Sequence, residues 1–133
     1  MNLSVDIDFC QYVARFIGAT GAENNAQADA GFTAHPSFMS EDELKAARAP
    51  FSIAAAEVDQ VFPEERRHAS EAILKELSLG EAKLPWQLTL YSGVSHGFGV
   101  RADLNDKRQK FVKEQAFKQA VDWFDYYVKG KGQ

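Results

Sequence analysis

Polar and apolar residues alternate at the start of the chain. Leu3, Val5 and Ile7 are interleaved with Ser4, Asp6 and Asp8. Period two predicts a strand. The two aspartates suit an edge or surface strand better than one buried on both faces. Tyr12-Val-Ala-Arg-Phe-Ile17 then predicts a short helix, stopped by Gly18 and Gly21. Residues 21–29 are small and polar and read as a loop. Ala30-Gly-Phe-Thr-Ala-His-Pro36 predicts a short strand closed by its proline. Ser40 and Glu43 form a capping box that opens a helix running to about Arg48, before Pro50.

The second half is more strongly patterned. Phe51-Ser-Ile-Ala-Ala-Ala56 is a compact apolar run that fits a buried parallel strand, with Glu57 to Phe62 as the loop leaving it. Pro63 suits the first turn of a helix. Ala69, Ile73, Leu74 and Leu77 give that helix an apolar face, and Gly80 ends it. Trp86 to Tyr91 predicts the next strand, and the loop after it carries His96 between glycines. A last helix is expected from Asn105 or Asp106, with Phe117, Ala120, Val121, Phe124 and Val128 as its apolar stripe. The tail from Lys129 is expected to fray.

Four strands alternating with four helices predict an α/β fold: a parallel sheet of about four strands with helices on both faces. The 133 residues are enough for one domain with a core and too few for two. We therefore expect a single domain over residues 1–133. Ligands of such sheets sit beyond the C-terminal ends of the strands. His35, Glu57, Asp59 and His96 all fall there.

Charge and composition narrow the partners. A net charge of -4 argues against a nucleic-acid surface, which needs a concentrated positive patch. No apolar run approaches the ~20 residues that span a membrane, and the N-terminus lacks the pattern of a secretory signal. The single cysteine, Cys10, permits no intrachain disulfide, which suits a reducing, cytoplasmic setting. No local ligand spacing points to a metal, no glycine-rich phosphate loop is present, and no cofactor is expected.

Cys10, Asp59 and His96 occur in the order nucleophile, acid, base, each just after a predicted strand. A thiol at a helix start and beside an imidazole is activated towards thiolate. Asp59 would orient His96 through one ring nitrogen and leave the other for the thiol. Each residue also has a plainer reading. Cys10 can be packing, and Asp59 a turn or capping residue. Glu57 is a substitute acid or a polar strand end. His35 serves as a substrate contact or a structural histidine. Arg101 clamps a substrate carboxylate or pairs with Asp103. His68 lies in a charged helical stretch and reads as solvated.

Phe51 to Pro63, with Ala-Glu-Val-Asp-Gln-Val-Phe-Pro, is followed by Leu90-Tyr-Ser-Gly-Val-Ser-His-Gly-Phe98 and Arg101. Together these resemble the C-terminal half of the dienelactone hydrolase family, within the α/β-hydrolases. Gly31-Phe-Thr-Ala-His-Pro-Ser-Phe38 and Ala120-Val-Asp-Trp-Phe124 are similar to its fungal members. The resemblance runs from about Tyr12 to about Val128. It implies a cysteine–aspartate–histidine triad that opens small lactones or esters, with Asp59 as acid, His96 as base, and Arg101 on a substrate carboxylate. The sequence departs from that pattern twice. About nine residues precede Cys10 where the family has several strands. Asp8-Phe-Cys-Gln-Tyr12 also lacks both glycines of the family's Gly-x-Cys-x-Gly-like elbow. The expectation is a truncated fold acting on a small-molecule substrate, with the half-sheet covered in a homodimer. The chain being a piece of a longer protein is the alternative origin of the short length. Two alternative functions follow. One is a nucleophile-independent isomerase, cyclase or lyase on a small polyketide-like acid. The other is a non-catalytic homodimeric module.

Overall fold

The structure, a computed structural model, describes residues 3–6, 17–20, 25–26, 28–37 and 39–132. Cys10 and nearly all of the helix expected from Tyr12 lie outside the described residues. Within them the strands are β1 (Leu3–Asp6), β2 (Ala19–Thr20), β3 (Asn25–Ala26), β4 (Ala30–Ala34), β5 (Phe51–Val58) and β6 (Trp86–Ser95). The helices are α1 (Glu41–Lys45), α2 (Glu64–Leu79), α3 (Phe98–Arg101) and α4 (Lys107–Tyr127), followed by a 3-10 turn at Lys129–Gly132. That last turn replaces the expected frayed tail.

The main sheet is four-stranded and parallel, in the order β1-β4-β5-β6. Among the described strands β1 lies at the edge of the sheet, as expected, and of the two aspartates behind that expectation Asp6 is in the strand while Asp8 lies outside the described residues. The expected loop of residues 21–29 contributes β3 to a small antiparallel pair with β2 just before it, in which Ala19 faces Ala26 and Thr20 faces Asn25.

β5 is buried on both sides because helices cover both faces. Phe51, Ile53 and Ala55 point into one core with Leu44 of α1 and Ile73 and Leu74 of α2. Ala54 and Ala56 point into the other, against Val112, Ala116, Ala120, Trp123 and Phe124 of α4. Alternation along the strand makes this division.

Three boundaries differ from expectation. α1 has the predicted capping box, with Ser40 Oγ accepting from Glu43 N–H at 3.1 Å and the Glu43 carboxylate accepting from Ser40 N–H at 3.3 Å. It ends at Lys45, before Arg48, because Ala47 bridges to Gly18 and Arg48 N–H donates to the Ile17 carbonyl at 2.7 Å. β5 continues through Glu57 and Val58, which read as loop in the sequence, because both strands extend to the Val58–Ser95 pair. In α4, Phe117 is 71% and Val121 40% exposed, so neither joins the core stripe. The buried face runs through Val112, Ala116, Gln119, Ala120, Trp123 and Phe124 instead. Phe117 follows Ala116 by one residue, ~100° around the helix, and so turns away from the sheet.

One polar group docks α4 on the sheet. The Gln119 side chain accepts from Tyr91 Oη–H at 2.8 Å and donates to Ser52 Oγ at 2.9 Å and to the Ile53 carbonyl at 3.2 Å. Burial pushes the Tyr91 phenol above its usual range, an effect its contact with Thr89 partly offsets.

Candidate active site

The site forms where β4, β5 and β6 end, and each turn is built differently. After β5 the chain turns at Asp59, whose Oδ1 accepts from Val61 N–H at 2.8 Å and Phe62 N–H at 2.9 Å. A short carboxylate bonding its own downstream backbone stabilises such a turn. Pro63 then leads into α2. The plain reading of Asp59 as a turn residue is therefore correct as far as it goes.

The strand that delivers the histidine is irregular. Between the Ala56–Tyr91 and Val58–Ser95 pairs, β5 advances two residues and β6 four, so β6 bulges. Gly93 sits in the bulge with φ 76°, and a Cβ there would lie 2.9 Å from Arg108 Cγ. Arg108 holds the bulge by donating to the Ser92 carbonyl at 2.9 Å and to Ser92 Oγ at 3.1 Å. Past it, Gly97 adopts φ 91° and opens α3. That left-handed turn is open to glycine and strained for most other residues.

The bulge and the turn bring His96 back over the end of β5. His96 Nδ1 lies 3.0 Å from Asp59 Oδ2 and 3.1 Å from Oδ1. The carboxylate is 1% exposed, and the imidazole 24%. Asp59 thus takes three N–H donors: two from its own turn and one from a ring 37 residues later. Since a carboxylate only accepts, Nδ1 carries the proton, and Nε2 of the neutral ring is the basic nitrogen. A ring held in that tautomer can take a proton at Nε2.

Nε2 has a partner that sequence reading missed. Ser37 Oγ lies 3.2 Å from it. Ser37 follows β4 across His35, which has φ 41°, and Pro36. The only signal in the sequence was its place just beyond a strand end.

The remaining candidates lie around this pair. His35 is 2% exposed and sets its ring at 73° to that of His96, with centroids 5.0 Å apart. It packs similarly on Phe98, at 5.3 Å. It therefore supports the ring of His96 from inside. Arg101 is exposed, and its guanidinium lies against Gly97, where a Cβ would come within 2.8 Å of Nη2. Glu57 is exposed near the end of β5, two residues before Asp59. His68 is also exposed, on α2, 3.8 Å from Glu64. Among the described residues, no group of three or more His, Cys, Asp or Glu side chains is placed to hold a metal ion.

The whole of this arrangement lies in the stretch that matches a known family. Residues 14–128 fit the model of the dienelactone hydrolase family. The chain belongs to that family. Among curated fungal proteins it is 46% identical over 119 residues to hydrolase pyvD of Aspergillus violaceofuscus, covering 90% of this chain and 44% of that protein. It is 52% identical over 103 residues to hydrolase tropI of Talaromyces stipitatus, covering 77% of this chain and 39% of that one. The chain thus spans less than half the length of these relatives. The fold agrees. A crystal structure from Klebsiella pneumoniae, assigned to the dienelactone hydrolases, superposes with a TM-score of 0.60 at 15% identity over 76% of this chain and 43% of that one. The parallel sheet is as the element order predicts, and the truncated α/β-hydrolase fold is as the family resemblance implies.

Proposed function

We propose that the chain carries the acid–base half of a hydrolase centre acting on a small lactone or ester. His96 is the base and Asp59 the acid that orients it. The observation behind this reading is the buried Asp59 carboxylate on His96 Nδ1, at 3.0 Å. Such a carboxylate fixes the tautomer and stabilises the imidazolium formed when Nε2 takes a proton. The family supports the reaction class, and both fungal relatives are named as hydrolases. Arg101, whose guanidinium lies against Gly97 next to His96, would hold a substrate carboxylate, with Glu57 at the end of β5 as a further substrate contact.

The test is hydrolysis of p-nitrophenyl esters and small lactones by the full chain and by His96→Ala. Loss of the base should lower kcat/KM by ~10³-fold or more. Equal rates for the two proteins would end this reading.

A second reading rests on the fact that the Asp59–His96 pair is complete without Cys10. Acid–base work alone supports an isomerase, cyclase or lyase on a small acid. Its mark is exchange of a substrate proton with deuterated water, dependent on His96, without ring opening.

The expected homodimer belongs to the same reading. Leu104, Phe111, Phe117 and Val121 expose apolar surface beside and along α4. Light scattering across a concentration series is expected to give twice the 14.8 kDa chain mass. No described helix is long and apolar enough to cross a membrane.

A further inference from the structure

A groove of about 480 Å³ lies between α4 and the first half of β6. It is separate from the Asp59–His96 pair. Its β6 residues are Gln87, Thr89 and Tyr91, whereas His96 follows the other end of that strand. We propose that this groove binds a neutral saccharide, seated against the aromatic rings at the end of α4 and held by the side-chain amides of its walls. The inference does not depend on the reading of His96.

Three observations carry it. The first is the rings. Trp123, Tyr126 and Tyr127 line the groove, with the Trp123 and Tyr127 centroids 4.4 Å apart and those of Tyr126 and Tyr127 4.8 Å apart. Tyr126 is 72% exposed. Rings with an apolar face and a polar tip suit a ligand built the same way, as a pyranose is, with C–H faces and a rim of hydroxyls. The second is charge. Of the residues lining the groove only Lys118 and Asp122 are charged, and they pair with each other. A nucleotide or an organic acid needs cations free to meet it, and an acyl chain needs an enclosed apolar cavity. A neutral hydroxylated ligand needs neither. Gln87 and Gln115 line the groove with amides that both donate and accept, as a sugar hydroxyl does. The Gln87 amide is loosely held, since its bond to Thr89 Oγ1 is 3.5 Å long. The third is an unspent donor. Trp123 is largely buried, and its indole N–H has no acceptor among the described residues. Such a group is costly to leave unpaired. A ligand hydroxyl that displaces the half-buried Tyr127 ring would meet it.

The geometry of α4 keeps the groove clear of the surface expected to form a dimer. Gln115, Asp122 and Tyr126 share one side of the helix, at spacings of seven and four residues. Phe117 lies two residues from Gln115, ~160° around the helix, and so points away from the groove. Binding is non-covalent, through stacking and hydrogen bonds. In an open groove that competes with water for every hydroxyl, a Kd of ~1 mM is expected.

The experiment is a proton–nitrogen NMR titration of the full chain with maltose, cellobiose and N,N′-diacetylchitobiose. It follows the indole N–H of Trp123, which Trp123→Phe distinguishes from that of Trp86. At least one of these disaccharides is expected to move that resonance saturably and downfield, as the N–H gains an acceptor, with a Kd of ~1 mM. Tyr126→Ala, a change at an exposed side chain, is expected to weaken binding ~5-fold or more. His96→Ala is expected to bind as wild type does. The acidic disaccharide digalacturonate is expected to bind more weakly than the neutral ones. A Trp123 indole resonance that moves with none of the neutral disaccharides at ~20 mM overturns the inference. So does a shift that Tyr126→Ala leaves unchanged, and so does tighter binding of digalacturonate.

Discussion

Asp59 and Asp106 use the same local device and end in different roles. Each carboxylate accepts from the backbone N–H groups two and three residues on: Val61 and Phe62 for Asp59, Arg108 and Gln109 for Asp106. Each opens the way into a helix. Asp106 is exposed, and its second oxygen takes only the Gln109 side chain, at 3.2 Å. Asp59 is buried, and its second oxygen meets His96. The turn motif is therefore not the site. A carboxylate of this kind becomes chemically useful when burial strengthens its field and another segment brings a titratable ring to the unused oxygen.

The comparison can be broken most sharply at Asp59. Asp59→Asn preserves an acceptor for both backbone N–H groups but offers an amide to His96, so the ring loses the partner that fixes its tautomer. Ester turnover should fall by ~10²–10⁴-fold while the melting temperature changes little. Turnover within a few-fold of wild type would reduce Asp59 to a turn residue like Asp106. Asp59→Ala should cost the same activity and also ~1–3 kcal/mol of stability in urea, because it strands buried donors. Gly97→Ala should follow, at ~1–2 kcal/mol, since the methyl meets both a positive φ and the Arg101 guanidinium. Asp106→Ala should have the smallest effect, a fall in melting temperature with no change in turnover. Its pH dependence has a definite sign. Bonds to Gln109 backbone, Gln109 side chain and Arg108 backbone lower the Asp106 carboxyl below its ordinary value of 3.8. The cap therefore stabilises the protein above that value, and its contribution is lost as pH falls through the depressed folded value. The gap between wild type and Asp106→Ala should stay constant near neutral pH and close in acid.

The sequence told these two aspartates apart only in part. Local signals were accurate wherever local chemistry decides: the Ser40–Glu43 box, the Phe51–Ala56 run, Pro63 before α2 and Gly80 after it. The order of elements was enough for the parallel sheet. Long-range geometry was harder to read. Hydrophobicity alone places Phe117 and Val121 in the core, but a helix has one docking face, and the alanines at 116 and 120 let the backbone come close to the sheet. The bulge at Gly93 leaves no periodic trace, because it interrupts the alternation that would reveal it. His96 stood out through its flanking glycines. Ser37 did not, because its partner lies 59 residues away and an isolated serine after a proline is common in loops.

The Gln119 contacts bear on how the last helix finds its place. An apolar helix face sliding over an apolar sheet meets many dockings of similar energy. One amide that must match Tyr91 on β6 and Ser52 on β5 at once makes the mismatched dockings costly, since each would bury an unsatisfied group. Replacing Gln119 with leucine should therefore cost both uniqueness and ~1–3 kcal/mol of stability, since it strands the buried Ser52 hydroxyl. The expected mark is a broadened set of α4 methyl and aromatic resonances together with a lowered denaturant midpoint.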